Sequence, residues 1–212
     1  MKEAKGFIGL HRRIHVRKFA IVMLLLAGCV SDRELLNSER IRQSFGSYGI
    51  TVLPSTDTLR RASLYSLENG QPVTRTFAVV RFNDALTAVE KAAIQPVHAQ
   101  ILAGASIGAT FREHHWTINK QNLYTGGITL ANPDSEIASL MQVDIPRELA
   151  MHAYLFNINN DLYSIDYATI IEIHHPQYLN VATLRKLYPT DPGAALDEQQ
   201  LSALRQLVRT AQ

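Results

Sequence analysis

The sequence predicts a single α+β domain: a mostly antiparallel sheet built from two hairpins, with helices packed on one face and a C-terminal amphipathic helix. Two observations carry this prediction. Strand-like segments occur in two pairs, each joined by residues that favour tight turns, which is typical of antiparallel pairing. Helical periodicity appears before, between and after these pairs, without the strict alternation of single strands and helices that parallel sheets need.

The first elements are a short helix, a strand and a hairpin. Asn37 or Ser38 can cap a helix in SERIRQSF, and Gly46 can end it. Alternating apolar residues in YGITV then predict a strand. Further on, two strand-like runs flank Asn69-Gly70, the pair preferred where both turn positions need a positive φ. These residues predict the first hairpin.

A helical segment follows the first hairpin. Apolar residues from Leu86 to Val97 recur at intervals of three and four, and Asp84 is the expected cap. Pro96 lacks a backbone donor, so we expect it to kink or break this helix. The next stretch, VHAQILAGASIGATFREHHW, fits either a second helix or a strand, a turn and a helix.

The second half of the chain repeats these features. WTINKQNLY predicts a strand, Gly126-Gly127 a turn, and SEIASLMQ a short helix. Turn formers at 159–161 lie between two strand-like runs and predict the second hairpin. Asn180 is the expected cap of VATLRKLY. The final helix carries an apolar stripe formed by Leu201, Leu204 and Val208.

The N-terminal segment has the pattern of a secretory signal. Four basic side chains lie within residues 12–18, an apolar run extends from Phe19 to Leu26, and the small residues Ala27 and Gly28 follow. The run is too short to span a bilayer as a helix, which needs about 20 apolar residues. We therefore expect residues 1–28 to be cleaved as a signal peptide.

The cleavage point precedes Cys29, the single cysteine of the chain. Leu26-Ala27-Gly28-Cys29 resembles the lipobox of bacterial lipoproteins, with every position filled. That resemblance implies a diacylglycerol on the Cys29 sulfur and an acyl chain, such as palmitate, on its new α-amino group. Val30 follows, where aspartate would resemble an inner-membrane retention signal of Gram-negative bacteria. The resemblance therefore implies a lipid anchor in the outer membrane, facing the periplasm.

These expectations divide the chain into three parts. Residues 1–28 form the signal peptide, 29–37 a lipidated N-terminus and short tether, and 38–212 one periplasmic α+β domain. Translation from Val16 is an alternative to Met1, because a complete signal begins there. Cleavage removes six basic side chains and one acid, so the mature 184 residues carry a net charge of −3. We therefore expect no nucleic-acid partner.

One motif suggests nucleophilic catalysis. Residues 104–108 read GASIG and match G-x-S-x-G, which holds a serine on a strained turn between a strand and a helix. Ser106 would be the nucleophile, His174 the base, and Asp144 or Asp166 the residue that orients it. The preceding residues look helical, however, and no oxyanion motif precedes them. A close helix crossing or a helix-to-helix turn is the alternative explanation of these small residues.

Histidines are the second group with chemical potential. Glu172 and His174 share a face of one predicted strand, and His152 lies opposite on its partner. No third convincing ligand or His-Glu-x-x-His helix accompanies them, so we expect no metal and no cofactor.

Two classes of function remain. The favoured class is a non-enzymatic, lipid-anchored binding or assembly module, whose partners are the membrane and either another envelope protein or a cell-wall glycan. Tyr163 and Tyr167 share a strand face and offer a surface for such a ligand, although packing within the sheet explains them equally well. The alternative class is a periplasmic serine hydrolase acting through Ser106.

Overall fold

The computed structural model describes residues 35–132, 134–194 and 196–210. Cys29, the signal segment and both candidate start positions lie outside the described residues. The described part folds in the order α1 (Asn37–Phe45), β1 (Gly49–Leu53), β2 (Leu59–Glu68), β3 (Gln71–Phe82), α2 (Ala88–Leu102), α3 (Ile107–Glu113), β4 (Thr117–Leu130), α4 (Glu136–Met141), β5 (Arg147–Asn159), β6 (Ser164–His174), α5 (Val181–Leu187) and α6 (Glu198–Thr210). Within this part, no helix has both the length and the apolar composition needed to cross a bilayer.

All six strands belong to one antiparallel sheet, in the order β1-β2-β3-β6-β5-β4. The two predicted hairpins, β2-β3 and β5-β6, meet through β3 and β6, where Val79 pairs with Ile171. In the first hairpin, Asn69 has φ 52° and Gly70 has φ 79°, the positive values that the turn prediction requires. The structure therefore confirms the α+β class, both hairpins and the C-terminal helix.

Helices cover both faces of the sheet, which differs from the expected one-sided packing. Helices α4 and α6 pack on the face that carries Phe77, Met151 and Ile173. Helices α1, α2, α3 and α5 pack on the opposite face. The reason is the continuous burial of β3 from 73 to 80, because alternate residues of a strand point to opposite faces. A single helical layer would leave half of these residues in water.

Two details of α2 correct the sequence interpretation. The helix begins after Thr87, whose hydroxyl oxygen accepts a hydrogen bond from the Glu90 N–H, so Asp84 is not its cap. The helix also continues through Pro96 to Leu102. Ile94 and Ile101 are buried on either side of the proline, and this packing outweighs the roughly 3 kcal/mol helix cost of proline.

Of the other local predictions, some are wrong and some are confirmed. Gly126-Gly127 lies inside β4 and pairs with β5, so it forms no turn. Leu36, not Asn37 or Ser38, is the N-cap residue of α1, although Gly46 ends this helix as expected. Asn180 caps α5, with its side-chain oxygen accepting a hydrogen bond from the Thr183 N–H at 2.9 Å.

Candidate functional site

A cavity lies on the face of the sheet that α1 and α3 cover. Strands β2, β3, β5 and β6 form its floor, and the first residues of α1 and α3 form its roof. Its volume is about 70 Å³, room for about two water molecules. Its apolar wall consists of Leu36, Ile50, Ala62, Leu64, Ala78, Val80, Ile107, Phe156 and Ile170. Its polar lining comes from residues that are distant in sequence.

Arg60 is the most deeply buried charged group of this lining. It is 2% exposed, and its Nη2 donates a hydrogen bond to the Ala105 carbonyl at 3.0 Å. Its Nε–H has no partner, and no carboxylate of the described residues pairs with it. Burial lowers the pKa of this guanidinium, but arginine remains charged at neutral pH. The guanidinium of Arg60 therefore has no directly paired counter-ion among the described residues.

Tyr48 and Ser106 lie near Arg60. Burial raises the pKa of the Tyr48 phenol, and the nearby Ser106 hydroxyl lowers it in part. The Tyr48 hydroxyl is nevertheless buried without a partner of hydrogen-bond geometry. This end of the cavity therefore holds a guanidinium and a hydroxyl group that both have unused donors.

The other end of the cavity reaches a buried polar network, which we call the Glu172 network: Asn37, Thr76, Glu172, His174 and Tyr178. The Asn37 amide donates to Glu172 Oε1 at 2.9 Å and to Thr76 Oγ1 at 3.2 Å. Tyr178 donates its hydroxyl proton to Asn37 Oδ1 at 2.7 Å. Thr76 Oγ1 lies 3.0 Å from His174 Nδ1. These bonds fix α1 on the centre of the sheet.

Two buried histidines border the Glu172 network. His152 is opposite Glu172 in the sheet register, and its ring stacks on Tyr188 with centroids 4.5 Å apart. Its Nε2 lies 2.9 Å from Asn122 Oδ1, whereas its Nδ1 is 3.9 Å from Glu172 Oε2, too far for a hydrogen bond. The predicted common face of His152, Glu172 and His174 is thus confirmed. Among the residues described, no group of three such side chains is placed to share a metal ion.

Both imidazoles are neutral at neutral pH. Burial, followed by the charges of Arg40 and Lys120, lowers the pKa of His174 to about 3. Burial, Lys120 and His174 lower the pKa of His152 well below its usual value. Lys120 also lines the cavity, with its Nζ 4.7 Å from the Tyr154 ring centroid. Burial lowers the pKa of this lysine, and the charge of Glu172 raises it in part.

The residues proposed for serine hydrolysis are not brought together. Ser106 is the N-cap residue of α3, and the end of α2 precedes it where a nucleophile elbow needs a strand. Asp166 is exposed and accepts a hydrogen bond from Asn157. It lies eight residues from His174, about 26 Å along β6. His174 contacts Thr76, and neither it nor any other described histidine forms a hydrogen bond with Ser106.

The tyrosines proposed to line a ligand surface mainly pack in the core. Tyr167 is 1% exposed and lies against Phe111, with ring centroids 4.8 Å apart. Its hydroxyl lies 2.8 Å from His98 Nδ1, at the edge of a wider groove of about 560 Å³ beside α2. Tyr163 is partly buried against Trp116. Sheet packing therefore accounts for both side chains.

Comparison with known proteins gives no family for this chain. Its sequence matches no protein-family model and no curated protein. The site is therefore defined by its own geometry.

Sequence reasoning missed Arg60, Asn37 and Lys120. Arg60 had a visible signal, because LRRASL alternates and places arginine on the same face as Ala62 and Leu64. A charged residue at an inward position of a strand indicates a special site. Asn37 and Lys120 carried no such signal.

Proposed function

We propose that this protein is a lipid-anchored lipoprotein of the cell envelope, held at the periplasmic face of the outer membrane through Cys29. It acts as a non-enzymatic binding or assembly module. The observation that carries the proposal is the lipobox-like Leu26-Ala27-Gly28-Cys29, placed at the end of a short apolar run and containing the single cysteine. One acyl chain alone gives only reversible membrane binding, so the several chains of a lipoprotein account for stable anchoring.

The domain offers features that suit binding more than catalysis. The cavity contains a buried guanidinium with an unused donor, which is a recognition group. The candidate nucleophile, base and orienting acid lie apart, and no histidine of the described residues forms a hydrogen bond with Ser106. The described residues contain every part that a binding module requires.

Metabolic labelling with radioactive palmitate tests the anchoring. We expect the label on the wild-type chain and on Ser31→Ala, a matched change two positions away, and no label on Cys29→Ser. Label on Cys29→Ser would refute the proposal. Val30→Asp tests the sorting, because it should move the labelled protein from the outer to the inner membrane.

A fluorophosphonate probe tests the enzymatic alternative. We expect the folded wild-type protein and Ser106→Ala to give the same background labelling. Strong labelling of the wild type that is lost in Ser106→Ala would contradict the non-enzymatic proposal.

A further inference from the structure

We propose that the cavity binds a small two-carbon carboxylate such as acetate, whose carboxylate group pairs with Arg60 and whose methyl group lies against the apolar wall. The inference rests on the proposed function, since it names the ligand class of the binding module. The ligand contacts come from the cavity lining alone and do not involve the lipid.

The charge of Arg60 provides the first reason. A buried ion is costly unless an opposite charge and hydrogen bonds compensate it. Arg60 has five N–H donors, of which one bonds to the Ala105 carbonyl, and its Nε–H is unpartnered. A carboxylate supplies the missing charge and accepts two parallel hydrogen bonds from the guanidinium. Arg60 is therefore a site for a planar anion.

The neighbouring groups provide the second reason. The buried Tyr48 hydroxyl has an unused proton to donate on the same side of the cavity, and the Ser106 hydroxyl is close to it. Glu172 lines the far side, but it accepts a hydrogen bond from Asn37 and interacts with Lys120. The positive charge of Lys120 opposes the negative charge of Glu172 in part. Glu172 repels an anion beside itself, so a carboxylate is favoured at the Arg60 end of the cavity.

The wall explains why the ligand carries an apolar group. Between the two polar ends the cavity is lined by Ala62, Ala78, Val80 and Ile170, which offer no hydrogen bonds. A phosphate ion needs donors on several sides, which these residues do not supply. Burial of a methyl group against these residues stabilises a ligand with one apolar end.

The test uses the full chain, purified in a non-ionic detergent, and isothermal titration calorimetry with acetate. We expect acetate to bind, and we expect neutral acetamide and inorganic phosphate to bind at least about tenfold more weakly. Arg60→Met keeps a long apolar side chain and should weaken acetate binding by about tenfold or more. Arg61→Met is the matched control, because the neighbouring strand residue points to the opposite face and should retain binding.

Tyr48→Phe keeps the test decisive if Arg60→Met fails to fold. It removes only the unpartnered hydroxyl and should weaken acetate binding severalfold. Equal binding of acetate and acetamide, or equal binding by wild type and Tyr48→Phe, would overturn the inference. Tighter binding of phosphate than of acetate would also overturn it. A wild-type chain that takes up no palmitate label but binds acetate would refute the anchor alone, whereas a labelled chain that binds no acetate would refute the carboxylate site alone.

Discussion

Replacement of His174 by asparagine should make the domain less sensitive to acid. The wild-type imidazole is buried beside Thr76 and Tyr178, and burial lowers its pKa to about 3. In the unfolded chain the same group takes up a proton near pH 6.5. Between these values the unfolded state binds more protons than the folded state, so stability falls as the pH drops.

The expected magnitude follows from this difference in pKa. At pH 5, one histidine that stays neutral in the folded state costs about 2 kcal/mol of stability relative to pH 8. His152 adds to this loss in the wild type, since its pKa is also lowered. His174→Asn should therefore lose about 2 kcal/mol less than the wild type between pH 8 and pH 5. That difference is a large share of the 5–15 kcal/mol typical of a domain.

Urea denaturation at the two pH values measures this difference. His174→Asn lowers stability at pH 8 as well, but this offset cancels when each protein is compared with itself. Thr76→Val is the control, because it disturbs the Glu172 network and keeps the imidazole. It should retain the wild-type loss. An equal loss in wild type and His174→Asn would refute the assignment of a buried neutral imidazole.

Three further substitutions test the fold, each by chemical denaturation. Gly70→Ala should cost about 1 kcal/mol through its positive φ alone, because an added Cβ would meet no atom within 4 Å; an unchanged stability would contradict the turn. Asn180→Ala should cost about 1 kcal/mol by removing the α5 cap, whereas Asn180→Asp should restore it. Phe111→Ala should cost about 3–5 kcal/mol, because the ring is fully buried between α3 and the sheet; a cost below about 1 kcal/mol would contradict that packing.

Features that depend on neighbouring residues were predictable from the sequence. Asn69-Gly70 specifies its own turn, because few other residue pairs adopt two positive φ values. Asn180 specifies the start of α5 through a hydrogen bond three residues away. Both hairpins then define the antiparallel sheet and thus the fold class.

Features that depend on distant residues were not predictable. The two glycines at 126–127 resemble a turn, yet they lie inside β4, where they pair with Met151 and Ala150 of β5. Their conformation is therefore set by pairing with a strand more than 20 residues away, which the local sequence does not show. The cavity was not predictable either, because no residue near Arg60 in the sequence indicates that α3 covers this side chain.

The first helix has a consequence for the order of events in folding. Asn37 bonds to Glu172, 135 residues further along the chain, and Arg40 bonds to Tyr188, 148 residues away. Contacts between such distant residues form slowly, because a long loop must close before they contribute. The α1 part of the cavity roof can therefore be seated only after the distant segments that carry Glu172 and Tyr188 are in place. Helix α1, the first helix of the described residues, is thus among the last elements to reach its final position.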